Sequence, residues 1–396
     1  MNFVFISPNF PKIFSHFVKE LNDRGITVLG IGDERFENLN DELKGYLKEY
    51  CFVSDLSNLQ WLKNTLDYLE AKYGHLDFVE SNNEFWLMSD SYLREYKNVT
   101  TGFWPKDMEK IKYKSSMKEY FAKAGVKTAR YILVKDFNEI EKFCNEVSYP
   151  VFAKPDNGVG AAQTYKISNH DELVHFWNTK PLELYIMEEF IDGELMSFDG
   201  ICDSDSNVLL AFNEVFPIPI AEAVNKGTDM HYYAKLKMDD EFRKLGTATV
   251  KAFGISKRCF HIEYFKLKKD KPGLGKKGDI LGLEVNMRSP GGDTPDLLCI
   301  ALNASYYECY ADVIAYNEIR TNIDVPHFYA ASVSKKYKFN YVHSNDEIFA
   351  KYGDIIVRHG FYDPAIAEAM GNEFFFAKFT NIKDVKEFID FSLSKK

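Results

Sequence analysis

Along the first hundred residues, short apolar runs alternate with stretches whose apolar positions recur every three or four residues. Phe3 to Ser7 is an apolar run closed by Pro8. Ile13, Phe14, Phe17, Val18 and Leu21 follow at helical spacing, Gly25 interrupts, and Ile26 to Ile31 is apolar again. The pattern predicts strand, helix, strand. A helix over about Leu59 to Lys72 and a strand near Phe78 to Glu80 repeat it, so residues 1–105 are expected to form an open α/β domain around a parallel sheet. The turn after the first strand, Ser7-Pro8-Asn9-Phe10-Pro11, has no glycine that would let backbone approach a pyrophosphate, so a dinucleotide fingerprint is absent.

Farther along, a charged helix from about Asp107 to Lys123 ends at Ala124-Gly125-Val126, with Gly125 as C-terminal cap. Ala129 to Val134 reads as a strand, Phe137 to Glu146 as a helix, and Tyr149 to Lys154 as a strand entered through proline. Leu184 to Glu189 is another strand, and Phe198 to Cys202 and Val208 to Phe212 read as antiparallel partners. After a helix over Asp239 to Phe253, strands Cys259 to Leu267 and Ile280 to Val285 flank a Lys/Gly-rich loop. Beyond residue 320, strands near Phe328 to Ser334, Ile355 to His359 and Glu373 to Phe379, with helices near Pro364 to Met370 and from Ile382, form a last small α/β piece. No internal repeat is present.

A chain of 396 residues is too long for one core, so two or three packed lobes are expected. The formal net charge of −10 argues against nucleic acid as a partner. Lys266, Lys268, Lys269, Lys271, Lys276 and Lys277 do cluster, but Pro272, Gly273, Gly275 and Gly278 mark the segment as a hairpin tip, expected to be solvated. The six cysteines contain no Cys-x-x-Cys pair, which suggests neither a zinc site nor a disulfide framework. With no basic leader and no long apolar segment, a cytoplasmic protein without a membrane span is expected.

Three segments carry candidate chemistry. Lys154 ends a strand and leads into the small-residue loop Gly158-Val159-Gly160-Ala161-Ala162, suited either to backbone closure on phosphate oxygens or to a plain hairpin turn. Glu188 and Glu189 end an apolar strand and must face opposite ways. Phe190 and Ile191 follow, and Glu194 comes just after a glycine, where an acid can accept from ribose hydroxyls. In the third, Glu284, Asn286 and Arg288 share one face by the period of two, and Glu263 on the neighbouring strand can join them. Two carboxylates and an amide oxygen form a hard oxygen site of the kind Mg²⁺ uses alongside substrate phosphates. A structural ion-pair network is the alternative reading.

Together these segments resemble the ATP-grasp superfamily, in the branch that holds biotin carboxylase, the large subunit of carbamoyl phosphate synthetase and many carboxylate-amine ligases. The resemblance covers roughly residues 107 to 310. It implies an N-terminal Rossmann-like pre-ATP-grasp domain (1–105), an ATP-grasp domain (106–320) with a lid over about 148–190, and a C-terminal α/β subdomain (321–396). It also implies ATP with Mg²⁺, or Mn²⁺ in its place. Lys114, with Lys112 as fallback, and Lys154 would contact phosphates, and Gly158, Gly160 and Ala161 would belong to the closing loop. Glu188 to Ile191 would read adenine, Glu194 would bind ribose, Glu263, Glu284 and Asn286 would hold metal, and Arg288 would hold the transferring phosphoryl group.

The activity implied is ADP-forming ligation: a carboxylate becomes an acyl phosphate that an amine attacks, on amino-acid or peptide-like substrates. Bicarbonate activation and ATP binding without turnover are the alternatives. Asp229 and His231 are candidates for the acceptor side, as ammonium ligand and base, although a histidine beside tyrosines also suits a structural place. The expected partners are a small carboxylate and a small amine, and pairing into a homodimer fits the relatives.

Overall fold

The computed structural model describes residues 1–396 except 159–162, 220–222, 224, 225, 326 and 363, and the side chains of 364–366. Its first sheet holds β1 (Asn2–Ile6), β2 (Thr27–Gly32), β3 (Glu49–Phe52) and β4 (Phe78–Glu80), all parallel, in the order β3-β2-β1-β4. Both faces are covered. Val4, Ile6, Leu29 and Ile31 pack with Leu62 and Leu66 of helix Leu59–Tyr73, while Phe3 and Phe5 pack with Phe14 and Phe17 of helix Phe14–Asp23. Burial on both sides explains why these strands read as unbroken apolar runs.

From residue 127 the strands are β5 (Lys127–Thr128), β6 (Tyr131–Leu133), β7 (Val151–Pro155), β8 (Tyr165–Ile167) and β9 (Tyr185–Glu189). Four of them form an antiparallel sheet in the order β6-β9-β7-β8. This small sheet starts at Tyr131, ahead of the lid boundary expected at 148, because β6 pairs with β9.

The central sheet adds β10 (Gly193–Cys202), β11 (Val208–Phe216), β12 (Met230–Ala234), β13 (Arg258–Leu267), β14 (Ile280–Asn286), β15 (Tyr329–Lys335), β16 (Ile356–Phe361) and β17 (Glu373–Phe379). Its nine strands run β16-β17-β15-β12-β11-β10-β13-β14-β5. The C-terminal strands therefore extend the central sheet through the β12–β15 pairing and do not form a sheet of their own. On one face Met196, Phe198, Tyr264 and Val333 pack with Phe121, Phe242 and Phe253 of helices Lys114–Lys123 and Asp240–Phe253. On the other, Phe212, Tyr232 and Phe376 pack with Leu297 and Tyr306 of helices Thr294–Leu302 and Tyr306–Tyr316.

Three local departures bear on the site. The helix expected from Asp107 to Lys123 breaks at Tyr113 into Met108–Lys112 and Lys114–Lys123. Asp156, just past β7, takes over the new helix start: its carboxylate accepts from Ser115 N and Ser115 Oγ, both at 2.7 Å, and its carbonyl accepts from Lys114 N at 2.9 Å. The Lys/Gly hairpin leans on the chain between the small and central sheets. Lys269 pairs with Asp192 at 2.9 Å, Lys127 donates to the Leu274 carbonyl at 3.0 Å, and Leu274 is buried with Ile191 and Leu281. Finally, buried Glu80 at the end of β4 joins Arg94 at 3.0 Å and also Arg258 of β13, fastening the first sheet to the central one. Among the described residues no helix is long and apolar enough to cross a membrane.

Candidate active site

Strand register decides which side chains meet. Glu263 stands directly opposite Glu284, and His261 opposite Asn286. On the other flank of β13, Ser197 and Asp199 of β10 stand opposite Glu263 and His261. Directly opposed residues share a face, so these side chains form one polar field on the sheet. His261 Nδ1 lies 2.5 Å from Asp199 and Nε2 lies 3.4 Å from Glu263. Burial works against its charge, but the two carboxylates prevail and hold its pKa at about 10.

Three lysines face two acids at the mouth between the small and central sheets. Lys114 Nζ lies 3.2 Å from Glu284 and donates to the Gly158 carbonyl at 3.0 Å. Lys154 Nζ lies 2.7 Å from Glu188, whose other oxygen pairs with Lys118. Burial alone would raise the Glu188 carboxyl, yet the ammonium groups of Lys118 and Lys154 outweigh it and bring it to about 2. Burial likewise opposes charge on Lys154, and Glu188 and Glu284 raise it again. Lys112 turns aside to Glu84, at 3.9 Å. Arg288 also reaches Glu84, at 2.9 Å, and donates to the Ser289 carbonyl at 3.0 Å.

Glu189 faces away from Glu188, as strand alternation requires. It forms a two-pronged pair with Arg130 at 3.0 and 2.7 Å, with Lys271 3.6 Å away. Phe190 packs its ring against Phe152, and Ile191 is buried with Leu267 and Leu281. Gly160 and Ala161 lie outside the described residues, whereas Gly158 is described.

Three expectations are corrected by the geometry. Glu194 shares its face with Met196 and Phe198 and stands opposite Lys266, so it projects to the face covered by helices Lys114–Lys123 and Asp240–Phe253, opposite to Glu263 and Glu284. Leu195, not Glu194, lies on the face of Glu263; the expected phase is off by one residue. His231 stands opposite Val333, whose side chain belongs to that same helix-covered layer, and burial lowers its pKa. Asp229 is held by Lys395 at 2.9 Å and by the Tyr341 hydroxyl at 2.6 Å, so its carboxylate fastens the C-terminal segment.

Known proteins share this architecture. Residues 112–256 match the sequence profile of the ATP-grasp domain. The L-amino acid ligase of Bacillus licheniformis has a similar structure, with a TM-score of 0.72 at 16% identity over 98% of this chain and 97% of that one. The chain carries an ATP-grasp domain. Among curated relatives, the L-arginine-specific L-amino acid ligase of Bacillus subtilis is 23% identical over 283 residues, 67% of this chain and 64% of that protein. D-alanine--D-alanine ligase B of Clostridium perfringens is 32% identical over 83 residues, 20% of this chain and 28% of that protein. The chain thus matches less than two thirds of the length of either relative.

Three residues of the candidate site carry no strong mark in the sequence. Lys118 lies one helical turn after Lys114, a signal available from i, i+4 spacing once Lys114 is placed on a helix. Asp156 follows Lys154 by two, on the same side of a strand end. Glu84 comes from a different domain, and only tertiary structure brings it to Arg288.

Proposed function

We propose that this chain is an ATP-dependent ligase that converts an amino-acid carboxylate into an acyl phosphate, releasing ADP, and joins it to the amine of a second small substrate. The observation that carries this reading is the opposition of Glu263 and Glu284 in register, with Lys114 and Lys154 converging beside them. Opposed carboxylates on adjacent strands repel; Glu263, Glu284 and the Asn286 amide oxygen would hold a divalent cation, which would remove that repulsion. Among the described residues no group of three or more His, Cys, Asp or Glu side chains forms a metal cage. Such a sparse donor set suits Mg²⁺, or Mn²⁺ in its place, because these ions share their remaining positions with phosphate oxygens and water.

When bound, the metal neutralises phosphate charge during phosphoryl transfer. The protein's own groups do the rest. Lys114 and Lys154 exchange Glu284 and Glu188 for phosphate oxygens, and the planar Arg288 fork, steadied by Glu84, faces the transferring group. A substrate carboxylate oxygen bonds to the γ-phosphorus as the bond to ADP breaks. The amine then bonds to the acyl carbon, phosphate departs, and the amine loses a proton.

The relatives named above support amino-acid substrates over bicarbonate. We place the reaction in the cytoplasm. Homodimer formation is part of the same proposal and is checked by sedimentation. The activity is tested by incubating the chain with Mg²⁺, ATP and pooled amino acids: ADP and phosphate should form only when amino acids are present. AMP and pyrophosphate would rule out the acyl phosphate. Dependence on bicarbonate instead would favour a carboxylase, and ATP binding without any release would favour a regulatory role.

A further inference from the structure

One carboxyl on the polar face has no counterpart. Glu214 of β11 is fully buried, and no described group donates a hydrogen bond to either of its oxygens; the neighbours within reach are the Asp199 carboxylate and the Ser197 hydroxyl, which Asp199 already engages. A buried carboxyl without a partner opposes folding, so its retention calls for an explanation such as a ligand. Its surroundings extend the deficit. Two strands away on the same face and offset by two residues, Ser332 of β15 is also buried, with its hydroxyl unpartnered among the described residues.

Local charge indicates what is missing. Burial, and then Asp199, push the Glu214 carboxyl well above the usual range, while His261 acts the other way. His261 is already taken up by Asp199 and Glu263. A cation brought to Glu214 would supply both the absent partner and the compensating charge.

Register also fixes the reach. Glu214, Ser197 and Glu263 stand opposite one another on three adjacent strands, which puts Glu214 about 10 Å from Glu263 at ordinary strand spacing. An extended lysine or arginine side chain bridges most of that span when its backbone end lies at the metal acids. Phe212 and Phe216 lie two residues to either side of Glu214 on its face, and Phe216 stacks on Tyr232 at 5.3 Å, so the surroundings of Glu214 are largely apolar.

We infer that Glu214 is a specificity-determining residue that receives the cationic side chain, ammonium or guanidinium, of an amino-acid substrate. The meaning of this site rests on the ligase reading above; its existence is tested by binding alone. Calorimetry on the full chain compares L-lysine with L-norleucine, which lacks the terminal ammonium.

Lysine is expected to bind about tenfold more tightly than norleucine, as one charge-assisted contact supplies. Glu214→Gln should abolish that preference without changing norleucine affinity. Glu214→Asp, which keeps the charge but draws it back by one methylene, should reduce the preference, and decides the matter if the Gln variant does not fold. Absence of lysine binding, equal affinity for the two probes, or a preference that survives both substitutions would overturn the inference. Turnover is not part of this readout, so a chain that binds lysine selectively but forms no ADP would sink the ligase reading and leave the site standing.

Discussion

Glu263 and Glu284 face each other across β13 and β14, with His261 3.4 Å from the first and Lys114 3.2 Å from the second. Neither neighbour bridges the pair. If a divalent cation does so, Glu284→Gln and Glu263→Gln should each lower ADP formation by about a hundredfold or more, as loss of metal-assisted charge stabilisation implies. Titration of Mg²⁺ against ADP release should show a raised metal requirement, with unchanged circular dichroism. Equal turnover would remove the metal assignment.

Glu188 gives a pH signature. Its folded pKa of about 2 lies below the ordinary carboxylate value, so it contributes stability that is fully present above about pH 4.3 and lost as pH falls towards 2. Glu188→Gln should melt at a lower temperature than the wild type at neutral pH, because Lys118 and Lys154 lose their shared counter-charge. The gap between the two proteins should narrow as the buffer is taken from about pH 5 to about pH 3. A gap that does not change with pH would contradict the assigned role of the lysine pair.

Arg288 and Glu84, paired at 2.9 Å, join the N-terminal part of the chain to the candidate site. Arg288→Lys keeps the charge but loses the planar fork, and should lower kcat by about tenfold or more while leaving the KM for ATP near its original value. Steady-state kinetics decides this. An effect confined to the KM for ATP would assign Arg288 to nucleotide binding instead.

Asp229 should behave as a structural residue. Asp229→Asn weakens contacts to Lys395 and Tyr341 and should reduce stability by about 1–3 kcal/mol, with ATP affinity unchanged. Chemical denaturation and nucleotide titration separate the two effects. A specific rise in the KM for an amine substrate without destabilisation would return Asp229 to the acceptor site.

Much of the architecture was legible because burial imposes period. The fully buried strands of the first sheet showed as apolar runs, and the alternation Glu284, Asn286 marked one face of β14. What failed has local causes. Glu194 looks like a ribose ligand because it follows Gly193, yet a single step along β10 carries it to the opposite face, and no signal in the sequence fixes that phase. His231 failed for the same reason on β12. The break at Tyr113 depends on Asp156, more than forty residues later, capping a helix it does not adjoin in sequence. Glu214 gave no sequence signal, because its significance lies in its lacking a donor among the described residues, which only the assembled sheet reveals.

If an acyl phosphate forms at the Glu263–Glu284 site, oxygen transfer reports it. A substrate amino acid labelled with ¹⁸O in its carboxylate is incubated with the chain, Mg²⁺, ATP and an amine, and the products are analysed by mass spectrometry. One labelled oxygen should appear in inorganic phosphate for each ADP released. Label in AMP, or phosphate released without label, would contradict the mechanism.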